Sequence, residues 1–154
     1  MVTAPPDVPG WQSTRWGMQN TEIIAAVGSE NLKIDPREQY GSFYSEISIP
    51  EVKIGEHSFH VVFQMDGDDR LAQVLIRHDS DREPVRAFTA AKSLLSERFG
   101  SPERQGTTDE FFWRFPTTTI SLSTIFLRGI SLSHVVIVFI PTANIKPKRS
   151  VAAF

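Results

Sequence analysis

The stretch that decides the fold is residues 82–100, REPVRAFTAAKSLLSERFG. Its apolar residues recur at spacings of three and four, the period of an amphipathic helix, at Val85, Phe88, Ala91, Leu95 and Phe99. Gly100 ends the predicted helix, and Pro102 prevents its continuation. Because polar and charged residues occupy the opposite side, we expect this helix to cover one face of a sheet and to bury its apolar stripe there.

Strand-like segments follow this helix. Residues 110–115 place Phe111 and Trp113 on one face, and residues 117–126 alternate apolar with polar side chains. Residues 131–140 contain the continuous apolar run Val135–Ile140. A run that is apolar on both faces is typical of a central strand, or of a strand that another chain covers.

The first half of the chain shows the same order. A short helix is predicted to start from a cap at Asn20 or Thr21 and to end at Gly28. Strand-like segments follow at residues 40–49, 57–65 and 70–78. Asp66-Gly67 is a typical hairpin dipeptide, and Pro50 is expected to end the first strand or to place its end at a sheet edge.

Together the two halves predict an α+β fold, in which two helices pack on one face of a mostly antiparallel sheet of about six strands. Each half would be one copy of a tandem repeat of a helix and three strands. We expect residues 1–10 to be a flexible lead-in, residues 11–141 to form a single domain, and residues 142–154 to be a loose C-terminal tail.

Composition narrows the classes of function. The 154 residues carry a formal net charge of −2, which argues against non-specific binding of nucleic acid. Cysteine is absent, which excludes disulfides, thiolate metal sites and a cysteine nucleophile. No apolar run is long enough for a membrane span, and the N-terminus lacks the features of a signal peptide. The compartment stays open: cytoplasmic, or periplasmic if an export signal precedes Met1.

Residues with catalytic or metal-binding chemistry form no recognisable pattern. His57 and His60 are three positions apart, which puts them on opposite faces of a strand. Residues 66–69, DGDD, begin like a calcium loop, but Arg77 occupies the twelfth position, where such a loop needs Glu. The motifs of a nucleophile elbow and of phosphate-binding loops are absent. We therefore predict no catalytic residue, no metal site and no cofactor.

The candidates for a surface that binds a ligand or a partner are Trp11, Trp16, Phe112, Arg114 and Val136. Tryptophans near a terminus usually pin it onto the body of a protein, although exposed aromatics can also mark binding surfaces. Phe112 and Arg114 alternate with Phe111 and Trp113, so they would lie on the open face of a sheet that is covered on one side only. The second face of the strand that contains Val136 needs cover from the Trp11–Trp16 segment or from a second copy.

Two short motifs carry a resemblance to known proteins. Arg15-Trp16-Gly17-Met18 before a short helix resembles the opening of many small uncharacterised bacterial proteins, and Phe99-Gly100-Ser101-Pro102 before the aromatic pair Phe112-Trp113 belongs to the same pattern. More distantly, the tandem order of helix and antiparallel strands is similar to that of β-lactamase-inhibitor-like domains and small outer-membrane assembly lipoproteins. Because those families are largely binding proteins of the cell envelope, the resemblance implies binding and supplies no catalytic residues.

The sequence therefore favours a non-catalytic protein-interaction or accessory module that meets a partner through its open sheet face or an edge strand. The alternative is a carrier that holds a small apolar ligand between helix and sheet. An enzyme of unrecognised type is the third hypothesis. The expected partners are a second copy or another protein, and neither nucleic acid nor a membrane span is expected.

Overall fold

The structure is a computed structural model, and it describes residues 5–78, 84–104, 110–127 and 132–145. The helices are α1, Asn20–Val27, and α2, Pro84–Phe99. The strands are β1, Lys33–Tyr40; β2, Phe43–Ile54; β3, His57–Met65; β4, Leu71–His78; β5, Glu103–Arg104; β6, Phe111–Arg114; β7, Thr118–Leu127; and β8, Leu132–Pro141. Single 3-10 turns lie at Ser29–Asn31 and Thr142–Asn144. Neither helix in these ranges has the length and apolar character that a membrane crossing requires.

The predicted α+β class is confirmed, but the sheet has eight strands within the described residues, not about six. The two strands that the sequence did not predict are the edges, β1 and β5. In β1 the Asp35-Pro36 pair reads as a turn, yet it lies in a bulge between Ile34 and Glu38, where a proline displaces no ladder hydrogen bond. Because β5 is only two residues long, it has no periodicity to recognise.

Strand β2 also runs through Pro50, where the sequence predicts an end. The register between β2 and β3 shifts between Ile49 and Val52, so the proline occupies an irregular position instead of a regular ladder site. Helix α1 begins one or two residues earlier than predicted, with Gln19 as its cap in place of Asn20 or Thr21. The Gln19 N–H donates to the Glu22 carboxylate at 3.1 Å, and this reciprocal contact compensates for the weak capping tendency of glutamine.

The tandem repeat is present, with four strands after each helix instead of three. The strand order is β1-β2-β3-β4-β8-β7-β6-β5, and every neighbouring pair is antiparallel. Each half is therefore a meander, and the halves join where β4 pairs with β8 at the centre of the sheet. This position confirms the prediction that the apolar run Val135–Ile140 forms a central strand.

Both helices contribute to the core, α1 through the fully buried Ile23. We call the face of the sheet on which α2 packs the covered face. The α2 side chains that are buried there are Ala87, Ala91 and Leu95, whose small alanines allow the helix to approach the sheet closely. Phe88 and Phe99 flank this stripe. The ring centroids of Phe88 and Phe111 are 6.0 Å apart, and those of Phe99 and Phe139 are 6.1 Å apart. Val85 does not belong to the buried stripe, because it is 76% exposed.

Residues 5–19, the N-terminal strap, also pack on the covered face. The Trp11 ring meets Phe63 edge-on at 5.7 Å, and Val8 is buried beside it. The backbone N–H of Gly17 donates to the carbonyl of Leu71, and the N–H of Leu71 donates to the carbonyl of Met18. The strap therefore packs on the covered face and contributes Val8 and Trp11 to the core. Residues 1–4 of the predicted lead-in and 146–154 of the predicted tail lie outside the described residues.

Candidate functional site

The opposite face of the sheet, the open face, carries an apolar band at its centre. Val62, Leu75 and Val138 lie directly opposite one another in register on β3, β4 and β8. All three are only half-buried, because the helices and the strap pack on the other face. The band joins β4 to β8, so it sits at the junction of the two repeats.

Two mixed rows of polar and apolar side chains run parallel to the apolar band on the open face. The amide row consists of Gln64, Gln73, Ile140 and Thr119, and the basic row of His60, Arg77, Val136 and Ser123. The Gln73 side-chain amide donates a hydrogen bond to the Gln64 carbonyl oxygen. Gln64, Val136 and Thr119 are nevertheless buried, with 4%, 4% and 1% of their surface exposed. The open face therefore has an uncharged centre, with the half-buried Gln73 amide on one side and the exposed Arg77 guanidinium on the other.

The predicted surface residues divide between the two faces. Phe112, Arg114 and Val136 lie on the open face, but Val136 is buried, with 4% of its surface exposed. Arg114 pairs with Glu103 at 2.7 Å and stands 4.9 Å above the Phe112 ring. Trp11 and Trp16 lie on the covered side with the strap. The Trp16 indole N–H donates to the Thr118 hydroxyl at 2.8 Å, so this tryptophan pins the strap to β7.

The edges of the sheet are poorly suited to strand pairing. At one edge, β1 carries the Pro36 bulge and a row of charged side chains. At the other edge, β5 offers only Glu103 and Arg104. Since bulges, prolines, charges and short length all discourage pairing with another strand, the geometry favours the open face over an edge as the interaction surface.

The second candidate site is a concave one, the α2 cleft. It lies on the covered face between α2, the N-terminal strap and the end of β2. Its volume is about 360 Å³. Ile76 and Ile137 form the floor, Leu94 and Phe99 of α2 form one wall, and Trp11 of the strap forms another. The cleft lies where the carrier hypothesis places its apolar ligand.

The charged residues at the rim of this cleft differ in whether their charge is already paired. The Asp7 carboxylate accepts hydrogen bonds from the backbone N–H of Thr117 at 2.8 Å and from its hydroxyl at 2.6 Å, and these bonds lower the pKa of Asp7. The Lys53 ammonium lies 3.0 Å from the Glu51 carboxylate and donates to Ser58. The Arg98 guanidinium has neither an ion pair nor a hydrogen bond with any described residue.

Other titratable groups take part in structural contacts. Burial of the Tyr44 phenol raises its pKa to about 12, and its hydrogen bond to the Asp69 carboxylate acts in the same direction. The Asp66 carboxylate accepts from the N–H groups of Asp68 and Arg70, which confirms a hairpin turn in place of a calcium loop. Within the described parts of the chain, no three His, Asp or Glu side chains converge in a group able to hold a metal ion.

Sequence reasoning missed Val62, Leu75, Val138 and Arg98. Alternation along β3 and β4 separates Val62 and Leu75 from the core residues, but only the cross-strand register aligns them with Val138. Arg98 reads as one more solvent-facing charge on an amphipathic helix, and no sequence signal marks its position beside a cleft.

Comparison with known proteins assigns no function to this chain, so its function has to be inferred from the open face and the α2 cleft. The resemblance to small bacterial envelope proteins, carried by residues 15–18 and 99–102, stays a prediction. The chain matches no protein-family model, no curated protein and no solved structure.

Proposed function

We propose that this chain is a non-catalytic interaction module that binds protein through its open sheet face, in the first instance a second copy of itself. The observation that carries the proposal is the uncovered apolar band of Val62, Leu75 and Val138. Interfaces typically combine an apolar centre with a polar surround, and Gln73 and Arg77, on either side of Leu75, supply polar groups for that surround.

The size of the open face suits a stable interface. Eight strands at about 4.8 Å spacing make the sheet about 35 Å wide, and about six residues at about 3.3 Å each make it about 20 Å deep. The face then offers on the order of 700 Å² per copy, close to the roughly 800 Å² per partner of a standard interface. A partner therefore needs no surface beyond this face.

The arrangement of the rows favours a second copy as the occupant. A twofold axis along the apolar band sets each band residue on its own counterpart. The same rotation brings the basic row of each copy onto the amide row of the other, so that Arg77 faces Gln73. Arginine donors then meet amide acceptors, and no like charges face each other.

The test is light scattering across a dilution series of the full chain. We expect the wild type to dimerise and Leu75→Lys, at the centre of the band, to weaken the dimer by at least about tenfold, because two ammonium groups would meet. Ile34→Lys is the matched control, since Ile34 is 63% exposed on the edge strand β1, away from the band. Gln73→Arg should weaken the dimer and Gln73→Glu should strengthen it, because position 73 faces Arg77 of the other copy.

A wild type that stays monomeric at about 100 μM would reject the second copy as the occupant. Affinity capture with wild-type, Leu75→Lys and Ile34→Lys baits then decides the wider function. A protein retained by the wild type and Ile34→Lys but lost from Leu75→Lys would identify another partner of the open face. Equal capture by all three baits, in a monomeric chain, would overturn the proposal. The resemblance to envelope binding proteins supports the same function.

A further inference from the structure

We infer that the α2 cleft is a binding site for a small amphiphilic carboxylate, with the apolar part of the ligand against the cleft floor and its carboxylate beside Arg98. The site lies on the covered face, so it is separate from the open face and its failure would leave the interaction function untouched. The cleft is concave and mostly apolar, with few polar groups at its rim, which is the usual character of small-molecule sites.

The cation at the rim that can receive an anion is Arg98. Asp7 stays ionised, since its hydrogen bonds from Thr117 lower its pKa, but its oxygens already accept hydrogen bonds from Thr117 and from the backbone N–H of Val8. Lys53 is shared with Glu51 and Ser58. Arg98 is the cleft cation whose five donors are unused by the described residues, and a planar guanidinium matches a carboxylate in two-point geometry.

The volume limits the length of the ligand. At about 30 Å³ for each water-sized unit, the 360 Å³ of the cleft holds about a dozen non-hydrogen atoms. A saturated ten-carbon carboxylate has that size, and its chain would contact Ile76, Ile137 and Phe99 while its head stays near the solvent-exposed Arg98. Larger lipids would need the strap to move away from the sheet.

The experiment is titration of the full chain with decanoate and with decylammonium. Binding is monitored through the NMR chemical shifts of the backbone amides. We expect decanoate to shift residues of the cleft and to bind more tightly than decylammonium. Arg98→Gln should weaken decanoate binding by about fivefold, the scale of a partly exposed ion pair. Lys33→Gln is the matched control, because it removes the same charge from the far edge strand β1 and should leave binding unchanged.

Charge reversal sharpens the test. Arg98→Glu should invert the preference, so that decylammonium binds more tightly than decanoate, and this outcome requires a folded protein that still binds. Leu94→Trp should fill the cleft and abolish binding of both probes. Equal affinity for both probes in the wild type, shifts confined to the open face, or no binding of decanoate at all would each overturn the inference.

Discussion

The two faces of the sheet are built from alternate residues of the same strands, yet they carry different properties. On β3, the side chains of Phe59, Val61 and Phe63 are fully buried beneath the helices and the strap, whereas Val62 between them is half-buried. The covered face uses large side chains whose burial stabilises the fold. The open face has half-buried side chains such as Val62 and Leu75 at its centre, although Gln64, Thr119 and Val136 on the same face are buried.

The largest expected effect is on the covered face. Phe63→Ala should lower the free energy of unfolding by about 3–5 kcal/mol, because it removes a fully buried ring and leaves a cavity beside Trp11. Chemical denaturation measures the change. Val62→Ala, one residue away on the open face, should cost about 1 kcal/mol or less. Similar costs for the two variants would break the distinction between the faces.

The second prediction concerns the pH dependence of the covered face at Tyr44, whose pKa in the folded state is about 12. Because an unfolded tyrosine ionises near pH 10, the stabilisation is complete below about pH 10 and is lost as the pH rises through about 12. The loss should be on the order of 2 kcal/mol.

Ultraviolet titration of the Tyr40→Phe variant checks this value, because Tyr44 is then the single tyrosine in the chain. Asp69→Asn should lower the pKa of Tyr44, since it removes the carboxylate that accepts the phenol hydrogen bond. A folded-state pKa near 10 in Tyr40→Phe would show that the Tyr44 phenol is solvated.

The third prediction tests how the strap is attached to the covered face. Trp16→Phe should cost about 1–2 kcal/mol, because it removes the indole donor from the fully buried Thr118 hydroxyl. The same substitution in a Thr118→Val background should cost less, since the acceptor is already absent. Thermal unfolding of the four proteins forms a double-mutant cycle, and additive costs would contradict the hydrogen bond.

The smallest effect is expected on the open face. Leu75→Lys should change the free energy of unfolding by less than about 1 kcal/mol, because its ammonium can reach water from a half-buried position. Val74→Lys, the preceding residue, should unfold the protein, since Val74 is fully buried on the covered face. Denaturation at low micromolar concentration separates folding from self-association, and unfolding by Leu75→Lys would show that the open face is also core.

Prediction from sequence succeeded where the determining contacts are local. The helix at 84–99, the Asp66-Gly67 hairpin and the alternation that sets Phe112 and Arg114 on the open face all depend on residues within a few positions of each other. It failed at β1, where Pro36 reads as a turn, and along the Thr117–Thr119 run. Threonine is a polar residue, yet Thr118 and Thr119 are buried, Thr118 beneath Trp16 of the strap and Thr119 beside Thr142.

The sequence by itself determined the class of the fold, the repeat and which side chains alternate, because periodicity along one segment records which of its faces is buried. Only the tertiary structure decided that Val62, Leu75 and Val138 form one band, and that Arg98 lies beside a cleft without an ion-pair partner among the described residues. The physical reason is separation along the chain. Strand order and register are set by packing between distant segments, and a one-residue slip would move a whole row to the other face without changing any local pattern.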